Sequence, residues 1–261
     1  MSKARITFLG TSDGLPSADR HHASLLLELG GRVILLDCGE PCSHTLKRMG
    51  VDFDGIGAVF LTHMHSDHVG GFPMLVQSMW LERRTRPLPV WLPRRAIAPL
   101  RHWLHACYLY EPVLPFRLQW RPLANGTVAR CGPVRVRACR TSHLDPARAA
   151  FAKRHPEIGF DPFCFLIEGA GKRIGYSGDI GRVEDLRLLL ARPLDLLVTE
   201  LAHCAPGAMF EFLRDAPVKR VALTHLCRDA RSRFAEVRRL GRRTLGAGRA
   251  VFVDDGDRLD F

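Results

Sequence analysis

Phe60-Leu61-Thr62-His63-Met64-His65-Ser66-Asp67-His68-Val69-Gly70-Gly71 sets four potential metal ligands, His63, His65, Asp67 and His68, within six residues. An apolar run, Ile56 to Leu61, leads in and reads as a buried strand. A second apolar run, Val69 to Leu81, leads away with helical character. The cluster therefore falls where a strand ends and a helix begins. In an extended segment His63, His65 and Asp67 point the same way, which turns His68 elsewhere, toward a second ion. Packing alone does not explain so dense a cluster, because buried polar groups need partners.

Working outward, the same punctuation recurs. Ile6 to Leu9 is a short strand before the turn Gly10-Thr11-Ser12-Asp13-Gly14. Ala23 to Leu29 and Val33 to Asp37 form a hairpin about Gly30-Gly31. Pro41 to Met49 reads as a helix stopped by Gly50. Arg94 to Tyr110 is mostly helical, with Pro99 expected to break or restart it. Its His102 and His105 read as surface or half-buried residues, since nothing nearby in the sequence completes a site. Val134 to Arg140, Arg173 to Ser177 and Val218 to Leu223 are strands, and His143, Asp179 and His225 follow closely on them, as His63 follows its own. Ligands at strand ends converge when the strands share an edge, held there by rigid elements.

Two runs of strands mixed with helices predict an α/β fold of one domain over residues 1–261. Its two mixed sheets lie face to face with helices outside, an αββα sandwich. No Pro/Gly/Ser-rich linker divides the chain. One segment stands out as an insert, residues 144–161, irregular with a helical run from Ala147 to Arg154. Long irregular loops in compact domains are often lids or binding loops. This one carries Arg148, Lys153, Arg154, His155 and Phe160, suited to an anionic substrate with a planar group. An inert surface connection is the plainer reading.

Composition narrows the class. The chain has 261 residues, 46% of them hydrophobic, and its longest apolar runs fall far short of a membrane span. No apolar core for a signal peptide follows Met1, so a cytoplasmic location without membrane contact is expected. The eight cysteines show no zinc-ribbon spacing and read as reduced, mostly buried thiols. Net charge is +11 and mostly arginine, which favours an anionic partner such as a phosphodiester or RNA end. Genome composition spread over solvated faces explains the excess equally well. The densest basic run, Arg228 to Arg249, carries Phe234, Val237 and Leu240 at helical spacing and reads as an amphipathic helix with a solvated basic face.

His63-Met64-His65-Ser66-Asp67-His68 matches the His-x-His-x-Asp-His motif of the metallo-β-lactamase superfamily, which the chain resembles over nearly its whole length. The resemblance continues at His143, at Gly178-Asp179 and at His225. It implies two divalent ions, one on His63, His65 and His143, one on Asp67, His68 and His225, with Asp179 bridging. Imidazole and carboxylate suit zinc, with manganese or iron as alternatives. Asp37 is expected to orient a ligand histidine, or else to serve as a turn residue.

Within the superfamily the chain is similar to ribonuclease Z, the transfer-RNA 3′-processing enzyme. Phe8-Leu9-Gly10-Thr11 and Asp37-Cys38-Gly39-Glu40 match, and Pro16 to His21 resembles the family's Pro-x-Lys-x-Arg-Asn loop. That loop makes Arg20 the candidate substrate contact. The departures are specific. Ala18 and His21 replace the loop's Lys and Asn, the long transfer-RNA-gripping arm has no counterpart, and Thr199 stands where the family's proton-donating His belongs. His203 is the nearby substitute, or an ordinary surface histidine. With Asp67 it makes up the candidate catalytic pair.

These observations predict a dinuclear metal-dependent hydrolase of a phosphodiester, small or cyclic before precursor transfer RNA, in which a hydroxide held between the ions attacks phosphorus. The rivals are a carboxylic ester or lactone hydrolase on the same metals, and a non-enzymatic basic nucleic-acid-binding protein. The expected partner is a small anionic substrate or an RNA end, with a homodimer left open.

Overall fold

Successive residues of the first strands feed two different cores. Ile6, Phe8, Leu25, Leu27, Ile34 and Leu36 pack into one, while Leu9, Leu26 and Leu35 pack into another. This is the period-two alternation of a sheet buried on both faces, so its strands are continuous apolar runs. A computed structural model describes residues 4–261. The first three residues of the N-terminal stretch discussed above lie outside them.

The strands are β1 (Arg5–Gly10), β2 (Ser24–Leu29), β3 (Arg32–Leu36), β4 (Ile56–Phe60), β5 (Leu88–Pro93), β6 (Leu118–Leu123) and β7 (Val128–Cys131). They continue as β8 (Val134–Arg140), β9 (Phe163–Gly169), β10 (Lys172–Tyr176), β11 (Leu194–Leu201), β12 (Val218–Leu226), β13 (Ala250–Phe252) and β14 (Arg258–Asp260). They form two seven-stranded sheets, ordered β14-β1-β2-β3-β4-β5-β6 and β13-β12-β11-β10-β9-β8-β7. Both sheets are mixed. The run β3 to β6 is parallel, as is β10 to β13, and the remaining pairs are antiparallel. The core between the sheets joins Phe8, Leu27 and Phe60 of the first to Val136, Phe165 and Ile174 of the second.

Helices cover both outer faces. α1 (Cys42–Arg48), α2 (Ser66–Val69), α3 (Phe72–Leu81) and α4 (Ile97–Ala106) follow strands of the first sheet. Leu46, Phe72, Leu75, Val76 and Leu100 from these helices fill the outer core of that sheet. α5 (Asp145–Phe151) lies in the insert, and α6 (Pro206–Leu213), α7 (Arg228–Ser232) and α8 (Phe234–Leu245) accompany the second sheet. Phe210, Leu213, Val237 and Leu245 fill its outer core. The architecture is the αββα sandwich that the strand pattern predicts.

Three local expectations differ. The apolar run from Val69 to Leu81 is not one helix, because the chain breaks at Gly70-Gly71, where the Gly71 amide donates to the Cys38 carbonyl at 2.9 Å. Pro99 does not break its helix. It is the third residue of α4, where an amide has no intrahelical acceptor to lose. β12 does not stop at Leu223 but runs through His225 to Leu226. The basic run keeps its expected amphipathic face within α8, though α7 is split from it at Arg233: α8 buries Val237 and Leu245 and exposes Arg238, Arg239, Arg242 and Arg243. Among the described residues no helix is long and apolar enough to cross a membrane, and all eight cysteines are free thiols.

Candidate metal centre

Strand ends at one edge of the sandwich carry the chemistry here. The chain leaving β4 gives Thr62 and His63, that leaving β8 gives His143, and that leaving β10 gives Asp179. β11 carries Glu200 near its end, and β12 carries His225. Two turns are sewn together by Asp185, whose Oδ2 accepts from the Ser142 amide at 2.9 Å, the Ser142 hydroxyl at 2.8 Å and the Gly181 amide at 3.0 Å. The Thr141 hydroxyl adds a bond to the Asp179 carbonyl at 2.9 Å. Gly178 sits at φ +50°, and a Cβ there would fall 2.7 Å from Thr62 Cγ2, so the turn before Asp179 needs glycine.

The seven expected ligands come together in two groups that share Asp179. His63, His65, His143 and Asp179 form one, and Asp67, His68, His225 and Asp179 the other, with the ligating atoms of each group within 4.8 Å of one another. The shared carboxylate divides its oxygens. Asp179 Oδ2 lies 3.7 Å from His63 Nε2 and 3.6 Å from His143 Nε2. Asp179 Oδ1 lies 3.1 Å from His68 Nε2 and 3.4 Å from His225 Nε2. Asp67 Oδ2 closes the second group at 3.4 Å from His68 Nε2 and 3.7 Å from His225 Nε2. Strand alternation had set Asp67 with His63 and His65. The structure sets it with His68, because the helix α2 begins at Ser66 and turns both side chains to the second group.

A divalent ion fits this arrangement. His63 Nε2, His68 Nε2 and Asp179 Oδ1 are buried and make no well-formed hydrogen bond, the 3.1 Å approach of the last two included, a costly state for three polar atoms facing one another. Burial holds His63 well below the usual imidazole range and brings His143 down to about 4. Neutral imidazole is the form that binds metal. Burial opposes protonation of His68 as well, but the Asp179 and Asp37 carboxylates push it well up instead. His225 foremost, then His68 and His63, overcome the effect of burial on Asp179 and hold it well below the carboxylate range.

A layer of buried groups orients the ligands. His68 Nδ1 lies 2.8 Å from Asp37 Oδ2, which also accepts from the Tyr176 hydroxyl at 2.7 Å and the Thr62 hydroxyl at 2.9 Å. The Thr62 amide donates to Asp37 Oδ1 at 2.7 Å. Asp37 is wholly buried and holds φ +57°, so it is a built partner of His68, beyond any role in the turn. Glu200 does the same for His203. Its carboxylate accepts from the amides of Ile180, Ala202 and His203, each at 2.8 Å, and lies 2.9 Å from His203 Nδ1. Burial works against protonation of His203, yet Glu200 raises it to about 9. The His203 and His143 rings sit 4.5 Å apart, so His203 belongs to the site. Sequence reading missed Thr62, Tyr176 and Glu200. Only the place of Thr62 and Glu200 beside named motif residues could have flagged them, and Tyr176 gave no signal.

A cavity of about 290 Å³ opens over the ligands between Asp13, Gly14 and Leu15 on one side and Ala202, His203 and Cys227 on the other. That volume is at the lower end of the roughly 300–1,000 Å³ usual for small-molecule sites. Arg20 does not line it. The Arg20 guanidinium is bonded to the Thr11 hydroxyl at 2.8 Å, to the Val253 carbonyl at 3.2 Å and to Asp254, so its contacts tie the N-terminal loop to the chain before β14.

The family model described as "Beta-lactamase superfamily domain" matches residues 32–226. A ribonuclease Z of Methanothermobacter thermautotrophicus is 30% identical over 295 aligned positions, covering 95% of this chain and 92% of the relative. Among solved structures, the metallo-β-lactamase fold protein YhfI from Bacillus subtilis superposes with a TM-score of 0.77 at 17% identity, over 100% of both chains. The human tRNase Z short form superposes with a TM-score of 0.71 at 20% identity, over 98% of both chains.

Proposed function

Since the chain belongs to the beta-lactamase superfamily, we propose that it is a dinuclear metal-dependent hydrolase of phosphodiesters. The observation that carries this reading is the division of Asp179, one oxygen to each ligand group, beside buried imidazole nitrogens without partners. His63, His65 and His143 would hold one ion, Asp67, His68 and His225 the other, and Asp179 both. Two such ions, zinc by the donor set, supply Lewis acidity toward phosphorus and an activated water.

The chain's own residues do the rest. Asp37 fixes the His68 ring through Nδ1 and leaves Nε2 to ligate. Asp67 is the carboxylate placed to steer the attacking water. Glu200 occupies His203 Nδ1, which leaves Nε2 to deliver a proton to the leaving oxygen as the phosphorus–oxygen bond breaks. His203 thus takes the part of the donor that Thr199 cannot fill, from four residues further on.

Small phosphodiesters are the favoured substrates. The alignment with the Methanothermobacter thermautotrophicus ribonuclease Z spans 295 positions against 261 residues here, so that relative carries internal segments this chain lacks. The cavity over the ligands is correspondingly small. Processing of precursor transfer RNA is the second reading, favoured by 30% identity across 95% of the chain. A panel assay on zinc- or manganese-loaded protein tests both, with small and cyclic phosphodiesters, a precursor transfer RNA, and lactones. Turnover is expected on the small phosphodiesters. Efficient, accurately placed cleavage of the precursor would favour the second reading, and activity on lactones alone would overturn both.

A further inference from the structure

The insert is fastened at its neck and at its tip. Arg140, the last residue of β8, pairs with Asp145 where the insert begins and with Asp161, at 3.4 Å, where it ends. At the far end a guanidinium nitrogen of Arg95 donates to the Pro156 carbonyl. Gly159 lies flat on the same side chain, where a Cβ would come within 2.8 Å of Arg95 Cβ. Anchored this way, the insert forms a wall. Between it and the short turn at Arg94–Ala96 is a cavity of about 200 Å³ lined by Arg95, Arg148, Ile158, Phe160 and Asp161. Asp161 faces Arg140, so its charge is met. Arg148 has no anionic partner among the described residues, and Arg95 has only a carbonyl. Two guanidinium groups without counter-charge beside an aromatic ring are suited to phosphate and an attached planar group.

The cavity lies at the catalytic edge. β5, which leads into Arg94, runs parallel to β4, which leads into His63. α5 begins two residues after His143. Two residues at up to 3.8 Å and three helical ones at 1.5 Å put the Arg148 Cα within about 12 Å of the His143 Cα.

We propose that this cavity is a second phosphate subsite. It takes a phosphate one nucleotide removed from the scissile phosphodiester, so the enzyme prefers a short oligonucleotide end to a substrate with one phosphate. The inference rests on the phosphodiesterase reading above. The full chain, zinc-loaded, is assayed on the dinucleotide UpU unmodified, with a 5′-terminal phosphate, and with a 3′-terminal phosphate. One terminal phosphate is expected to lower KM at least about fivefold. Arg148→Ala and Arg95→Ala should each bring the ratio of the two KM values back to within about twofold. Arg238→Ala, an equal loss of charge on exposed α8, should leave the ratio in place. No gain from either phosphate, or a gain that survives both arginine variants, overturns the subsite. Fluorescence anisotropy with the labelled, phosphorylated dinucleotide on metal-free protein separates the two readings. If no dinucleotide is hydrolysed but binding still weakens at least fivefold in Arg148→Ala, the phosphodiesterase reading falls and the subsite stands. Binding indifferent to both variants sinks the subsite whatever the turnover.

Discussion

His68 Nδ1 lies 2.8 Å from Asp37 Oδ2, and solvent reaches neither group. The pair joins the turn after β3 and the helix α2 that follows β4 to the Tyr176 hydroxyl of the second sheet. A ligand histidine held this way presents Nε2 in a fixed direction and is more basic there. Asp37→Asn keeps the size and loses the charge. Zinc affinity in chelator competition should fall roughly 10–100-fold, the cost usual for losing such a partner. Circular dichroism on the same sample should show a folded chain. Unchanged affinity would mean that Thr62 and Tyr176 suffice to place the ring.

Asp179 is the one carboxylate common to both ligand groups. Its removal should therefore affect both ions, whereas His65→Ala touches only the first. Elemental analysis after dialysis should give about two ions per wild-type chain and at most about one for Asp179→Ala. A folded wild-type chain that takes up neither zinc nor manganese would end the dinuclear reading.

If His203 protonates the leaving oxygen, its loss matters most where that oxygen most needs a proton. His203→Gln should lower kcat on an alkyl phosphodiester by roughly 10²–10⁴, the usual worth of a general acid. On a 4-nitrophenyl ester, whose leaving group departs as a stable anion, the loss should be about tenfold or less. Equal losses on both substrates would assign His203 to packing against His143 and not to proton transfer.

The sandwich and the cluster of seven His and Asp side chains were legible because each rests on a local signal. Apolar runs gave the strands, and His63 to His68 lie in one short stretch. The supporting layer was less legible, because its partners meet only in three dimensions. Tyr176 lies 139 residues from Asp37 and looks like any strand tyrosine. The contacts of Arg20 were hidden for the same reason: Asp254, 234 residues on, holds its guanidinium. The break at Gly70-Gly71 was masked by an apolar periodicity that runs across it.

Asp195 offers a test of pairing far from the candidate metal centre. It stands near the start of β11 and Glu200 near its end, five residues on, a separation of about 17 Å at strand rise. Asp195 Oδ1 accepts from Lys219 Nζ of β12 at 2.8 Å, and Oδ2 from the Arg173 amide of β10 at 2.9 Å. Burial would raise this carboxyl, but those two donors outweigh it and hold Asp195 below the usual carboxylate range. A group whose folded pKa is depressed stabilises fully above its unfolded value, about 3.9 for aspartate. That contribution fades as pH falls through the lower, folded value, because the folded state must then take up the proton. Lys219 is largely exposed, so solvent screening limits the worth of the pair to about 1 kcal/mol. Asp195→Asn should accordingly lower Tm by about 2–4 °C at pH 7. The gap should narrow as pH drops below about 4 and close once wild-type Asp195 is protonated. Thermal unfolding followed by circular dichroism across this range measures it. A gap that stays constant down to pH 2 would show that Asp195 acts through shape and hydrogen-bond geometry, with its charge contributing nothing.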